Sequence, residues 1–187
     1  LDFKLQLDPS VFPPVPEGTN PFLMLRSCIQ KINEVYSQAQ NEGRIECPRE
    51  NVLFFPSVDE TVIHFNTTRV IHRSSIDGEE LSAAEIEGRK QMRQLFELLR
   101  TEIPEFKNAT FYSVAPQIGI RESRRILGRD YLVQDDFAKG RCRPDSVARV
   151  NYGIDIHNPD GKGTEHMHLP ATAWYDVPFG CLVPRDI

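Results

Sequence analysis

The chain has 187 residues, enough for one domain of ordinary size with at most a small appendage. With 40% hydrophobic and 26% charged residues it reads as a soluble globular protein with a real core. A formal charge of −5 argues against the basic footprint of a nucleic-acid binder, and no apolar run approaches the roughly 18–20 residues of a membrane span.

In chain order, "LDFKLQLD" alternates Leu1, Phe3, Leu5 and Leu7 with polar partners and predicts a half-buried strand. The proline-dense "PSVFPPVPEGTNP" predicts an extended loop. Asn20 as cap and Pro21 at the first helical position then open a helix. Phe22, Leu25, Ile29, Ile32, Tyr36 and Ala39 form its core stripe, and Gly43 ends it. "NVLFFPSV" and "TVIHFNTTRVI" predict two paired strands around a turn near residues 57–60. Ser82 and Glu85 match a capping box for a second long helix with a stripe of Ala84, Gly88, Met92, Leu95, Leu99 and Ile103, stopped by Pro104. Gly88 beside Ala84 predicts close packing against another backbone. From residue 110 onward "TFYSVAPQIGI", "DYLVQDD", "YGIDIH" and "AWYDVPFGCLVP" predict strands and loops. The order strand, helix, hairpin, helix, strands predicts an α+β fold, a mostly antiparallel or mixed sheet packed by two long helices, over residues 1–187 as a single domain.

Two stretches carry the charged chemistry. In "PQIGIRESRRILG", residues 116–128, three guanidiniums and a carboxylate sit between apolar flanks that look buried. If a strand ends near Ile120, the run lies at a strand end, where a rigid scaffold presents binding groups. Arginine's planar fork matches carboxylate and phosphate, so Arg121, Arg124 and Arg125 suit an anionic ligand, with Glu122 fixing one guanidinium. The alternative is a structural ion-pair network with Asp130, Asp135 or Asp136. In "YGIDIHNPDGKGTEHMH", Asp155 and His157 share one face of a strand, and histidine is the side chain most easily poised for proton transfer near neutral pH. The alternative there is a polar hairpin with an ordinary surface histidine. His166 and His168 with His157 raise a metal reading, but no third ligand follows from spacing, so the expectation is no metal. His64 and His72 read as structural. Cys28, Cys47, Cys142 and Cys181 are far apart and expected to be free thiols. No serine-hydrolase elbow, P-loop or G-x-G-x-x-G fingerprint is present.

"GIRESRRILG", "DYLVQDD", "YGIDIHNPDGKG" and "YDVPFGCLVP", in that order, resemble bacterial FAD-dependent oxidoreductases, a family similar to glutathione-reductase-like flavoproteins. "FNTTRV", "LSAAEIEGRKQM" and the opening strand extend the likeness over nearly the whole chain. The resemblance implies a Rossmann strand with a Gly-rich turn before this region and a returning segment after it. The chain is therefore expected to be the middle, substrate or cap domain of a longer protein, inert alone. Its partners would be the FAD-binding remainder of its own polypeptide and a small organic substrate. FAD would be bound by the full-length protein and not by this part. The resemblance further implies that the "RESRR" segment faces the flavin or the substrate pocket, with Arg121, Glu122 and Arg125 toward the cofactor. Arg124, His157 and Asp155 would then act in catalysis, with Tyr175 a weaker candidate. A guanidinium there would stabilise charge on reduced flavin or clamp an acidic substrate group. An apolar face exposed by the missing cofactor domain would favour self-association into a homodimer. The competing readings are a non-catalytic anion- or carbohydrate-binding module and a small metal enzyme on the three histidines. The compartment is open, with cytoplasm favoured over export.

Overall fold

The computed structural model describes residues 1–11, 16, 21–121, 123–158 and 163–186, the side chains of 21–27 excepted. The chain divides into two compact units, Leu1–Ser123 with Pro159–Gly163 and Arg124–Asn158 with Thr164–Ile187.

The first unit is a four-stranded antiparallel sheet in the order β2-β3-β1-β4, formed by β1 (Phe3–Gln6), β2 (Phe54–Pro56), β3 (Val62–Phe65) and β4 (Thr110–Val114). Phe3 pairs with Phe65 and Leu5 with Ile63, so the period-two pattern sends these four side chains to one face. That face is buried with Ile32 and Tyr36 of α1 (Pro21–Asn41) and Leu95 and Leu99 of α2 (Gly78–Glu102). Phe3 and Phe65 stack with ring centroids 4.9 Å apart, and Phe106 meets Phe65 edge-on. Each such side chain contributes about 1.5–3 kcal/mol by leaving water. The α1 stripe buries Ile32, Tyr36 and Ala39 as the spacing predicts and half-buries Ile29, the side chains of Phe22 and Leu25 lie outside those described, and Gly43 follows the helix at φ 73°. The expected Asn20 cap lies outside the described residues. Between β2 and β3 the Asp59 carboxylate accepts the Thr61 N–H at 2.9 Å and its hydroxyl at 2.6 Å, which closes the predicted turn.

Helix α2 starts one turn before the predicted capping box. Asp77 is the cap, its carboxylate accepting the Glu79 and Glu80 N–H groups at 3.0 and 2.9 Å. Ser82 is already inside the helix and donates to the Gly78 carbonyl, while Glu85 is used elsewhere. Gly88 does not pack on a backbone. A Cβ there would meet the side chains of Ile118, Leu1 and Val70 at 3.5, 3.5 and 3.8 Å, ordinary van der Waals contact. The strand predicted to run toward Ile120 ends at Val114, because Pro116 has no N–H to continue a ladder.

In the second unit "DYLVQDD" is not a strand. It is an irregular segment leading into the short helix α3 (Gln134–Lys139), whose start is fixed by the Asp136 carboxylate accepting the Val133 N–H at 3.0 Å. Two antiparallel ribbons follow. β5 (Ser146–Val150) pairs with β8 (Tyr175–Pro178), and β6 (Ile154–His157) with β7 (Thr164–Met167). The β6–β7 pair is the polar hairpin that the turn chemistry suggests, whereas β5 has no counterpart in the sequence reading. The class is α+β with antiparallel pairing throughout the described sheets. Among the described residues no helix is long and apolar enough to cross a membrane. Among the described residues no disulfide joins the cysteines.

Candidate functional site

The arginine-rich segment begins from a tethered point. Helix α2 holds it through the Glu85 carboxylate, which accepts the Ile118 N–H at 2.6 Å, and through Arg89, which donates to the Pro116 carbonyl at 3.1 Å. Beyond that point the chain is open to solvent. Arg121, Ser123, Arg124 and Arg125 are exposed, and Glu122 lies outside the described residues. The flanks do not behave as their composition suggested: Ile120, Ile126 and Leu127 are about half exposed, at 49, 52 and 58%. The boundary between the two units falls within the run, after Ser123.

The aspartates expected as partners of this run are held by other cations. Arg143 donates to Asp130 at 2.7 Å and to both oxygens of Asp136 at 3.1 Å, and Arg141 adds a bond to Asp136 at 3.1 Å. Asp135 pairs with Lys139 one helical turn on, at 2.6 Å. A second buried carboxylate, Asp176 on β8, accepts the Arg143 backbone N–H at 2.9 Å and the Arg149 guanidinium at 3.2 Å. Asp136 and Asp176 are 1 and 3% exposed, so each survives as an anion only because its lone pairs are met. The Val133 N–H first, and then Arg143, hold the Asp136 carboxyl below its usual range. For Asp176 the leading cause is the Arg143 N–H, followed by Arg149. This network ties α3, β5 and β8 together, and its partners lie up to 33 residues apart. "KGRCR", a helix-ending glycine followed by alternating arginines, was the signal in the sequence that could have suggested it.

The second predicted constellation is brought together. On β6 the His157 Nε2 lies 3.8 Å from the Asp155 carboxylate, and its Nδ1 is 3.4 Å from the Thr164 hydroxyl on β7. The register sets Asp155 opposite His166 and His157 opposite Thr164, so these four residues share one face of the ribbon. His166 and His168 stack with parallel rings 5.7 Å apart. Among the described residues no group of three or more His, Cys, Asp or Glu side chains could hold a metal ion. Tyr175 is engaged structurally, its hydroxyl donating to the Tyr152 carbonyl at 3.3 Å and its ring meeting Phe137 edge-on.

The family model described as FAD dependent oxidoreductase matches residues 20–187. No curated protein matches the chain, and no solved structure matches it. The described residues do not by themselves make an FAD cradle. Every described sheet is antiparallel, whereas a dinucleotide pyrophosphate is held where a parallel strand turns through glycines into a helix. Two concave surfaces of the first unit, one along Gln30, Asn33 and Ser37 of α1 and one between Arg44 and Thr101, are open grooves without a glycine among their lining residues. Membership rests on the family match, which spans most of the chain: the protein belongs to the FAD-dependent oxidoreductase family.

Proposed function

We propose that this chain forms the substrate side of an FAD-dependent oxidoreductase that moves a hydride or electrons between a small organic substrate and FAD. The flavin is then held by other residues of a longer polypeptide, and the chain alone is inert. The observation that carries the reading is the family match over residues 20–187 in a chain whose described sheets are all antiparallel and lack a nucleotide cradle. In this reading the exposed Arg121, Arg124 and Arg125 are each a forked donor for an anionic group of the substrate or the flavin. His157 holds or accepts a proton, with the Asp155 carboxylate 3.8 Å from its Nε2.

A visible absorption spectrum tests this directly. The full-length gene product should be yellow and the 187-residue chain colourless. A full-length protein that stays colourless after incubation with FAD overturns the reading and leaves a non-catalytic anion-binding module. In a yellow full-length enzyme, Arg121→Ala and Arg124→Ala should each lower turnover by about 10²-fold, and His157→Gln should remove the limb of the pH profile near neutrality. Near-normal rates in all three variants would sink the site assignment while sparing the flavoprotein assignment.

A further inference from the structure

The open face of the four-stranded sheet carries a second histidine–carboxylate pair with tighter geometry than the one on β6. His64 Nε2 is 2.9 Å from the Asp2 carboxylate. A carboxylate only accepts, so Nε2 carries the proton in this bond, and the corresponding neutral tautomer has Nδ1 as an acceptor. No partner for Nδ1 is found among the described residues. The sheet register then builds a row around this base. Phe55 pairs with His64, His64 with Lys4, and Lys4 with Ser113. Neighbours in such a row stand about 5 Å apart on one face. Phe55 is 46% exposed and meets the His64 ring edge-on with centroids 6.3 Å apart. Lys4 makes no ion pair among the described residues.

An aromatic face, a basic nitrogen and an ammonium therefore follow one another in a line. An ordinary solvated sheet face explains polar residues there. It does not by itself call for an imidazole backed by a carboxylate and set in register between a cation and an exposed ring. We propose that this row binds a small hydroxy acid carrying an apolar group. The carboxylate sits at Lys4, the hydroxyl donates to His64 Nδ1, and the apolar group lies against Phe55. Asp2 is a positioning residue that keeps Nδ1 available. The site stands apart from His157 and rests on the geometry of the first unit alone.

The probe is 3-phenyllactate, compared with 3-phenylpropionate, which lacks only the hydroxyl. Both are titrated into the protein at pH 8, while the His64 ring signals and the Lys4 amide are followed by NMR. Phenyllactate should bind at least about fivefold tighter than its deoxy analogue, because a site built to accept a hydroxyl rejects the analogue without one. His64→Gln and Asp2→Asn should each erase that preference, the second leaving the imidazole in place but free to turn. Lys4→Met should weaken both acids. Equal affinity for the two acids, unshifted His64 and Lys4 signals, or a preference that survives in both His64→Gln and Asp2→Asn would each overturn the proposal.

Discussion

Asp136→Asn is the sharpest test of what holds the second unit together. The substitution keeps the size of the side chain and one oxygen for the Val133 N–H. It removes the negative charge facing Arg143 and Arg141, each 3.1 Å away. Hydrogen bonds to charged groups contribute about 1.5–3 kcal/mol each, and deleting one partner of a buried pair costs about 3–5 kcal/mol. Arg143 keeps Asp130 at 2.7 Å, so the stranded cation is partly compensated. The expected loss is therefore about 2–3 kcal/mol. The chain has one tryptophan, Trp174, next to β8, so urea unfolding followed by its fluorescence reports on this unit. Asp135→Asn is the control, since its pair with Lys139 is exposed and worth little.

The pH dependence adds a second arm. The folded carboxyl of Asp136 lies below its ordinary 3.8, so its contribution is complete above that value and is lost as pH falls through the lower folded pKa. The gap between wild type and Asp136→Asn should be constant from pH 8 to 5 and close below about pH 4. Equal unfolding midpoints for Asp135→Asn and Asp136→Asn, or a gap that persists unchanged at pH 3, would refute the reasoning.

Three further outcomes follow from the same geometry. Gly88→Ala should stabilise the first unit by about 0.5–1 kcal/mol in urea, because the new methyl meets neighbours only at 3.5 Å or more while helix propensity improves; a clear loss would mean that Ile118 and Leu1 cannot accommodate it. Asp77→Ala should cost about 1 kcal/mol and speed hydrogen exchange at Glu79 and Glu80, whereas Ser82→Ala should be close to neutral. The reverse ranking would restore the later helix start. With a soluble disulfide reagent at pH 8, the exposed Cys142 should react before the others. Buried Cys47 should stay silent, and burial, which pushes the Cys181 thiol up, should keep that group slow.

What the sequence carried well was local and periodic. The α1 and α2 stripes, the β1 alternation, the β2–β3 hairpin and the α+β class all follow from spacing, because burial of one face imposes a repeat that a short window reveals. The Asp155–His157 pairing was legible for the same reason, since two residues apart on a strand means one face. The family too was legible in four motifs, and the match over residues 20–187 bears the family out.

Errors fell where one residue type serves two purposes. Ser82 and Glu85 have capping-box spacing, but Asp77 is five positions earlier and offers its carboxylate first. Glu85 is thereby left to hold the Ile118 N–H. The apolar look of "QIGI" and "RILG" suggested burial, which holds for Gly128, yet hydrophobicity does not say whether a chain finds a partner surface, and Ile120, Ile126 and Leu127 are half exposed.

Contacts that join distant segments could only come from tertiary structure. Asp176 meets the Arg143 N–H across 33 residues, and His64 meets Asp2 across 62. A hydrogen bond depends on a separation of about 3 Å, and nothing in the composition around either partner encodes it. Local periodicity thus determined the elements and the motifs their family. Chain folding alone decided which arginine holds which aspartate, and which histidine has a carboxylate behind it.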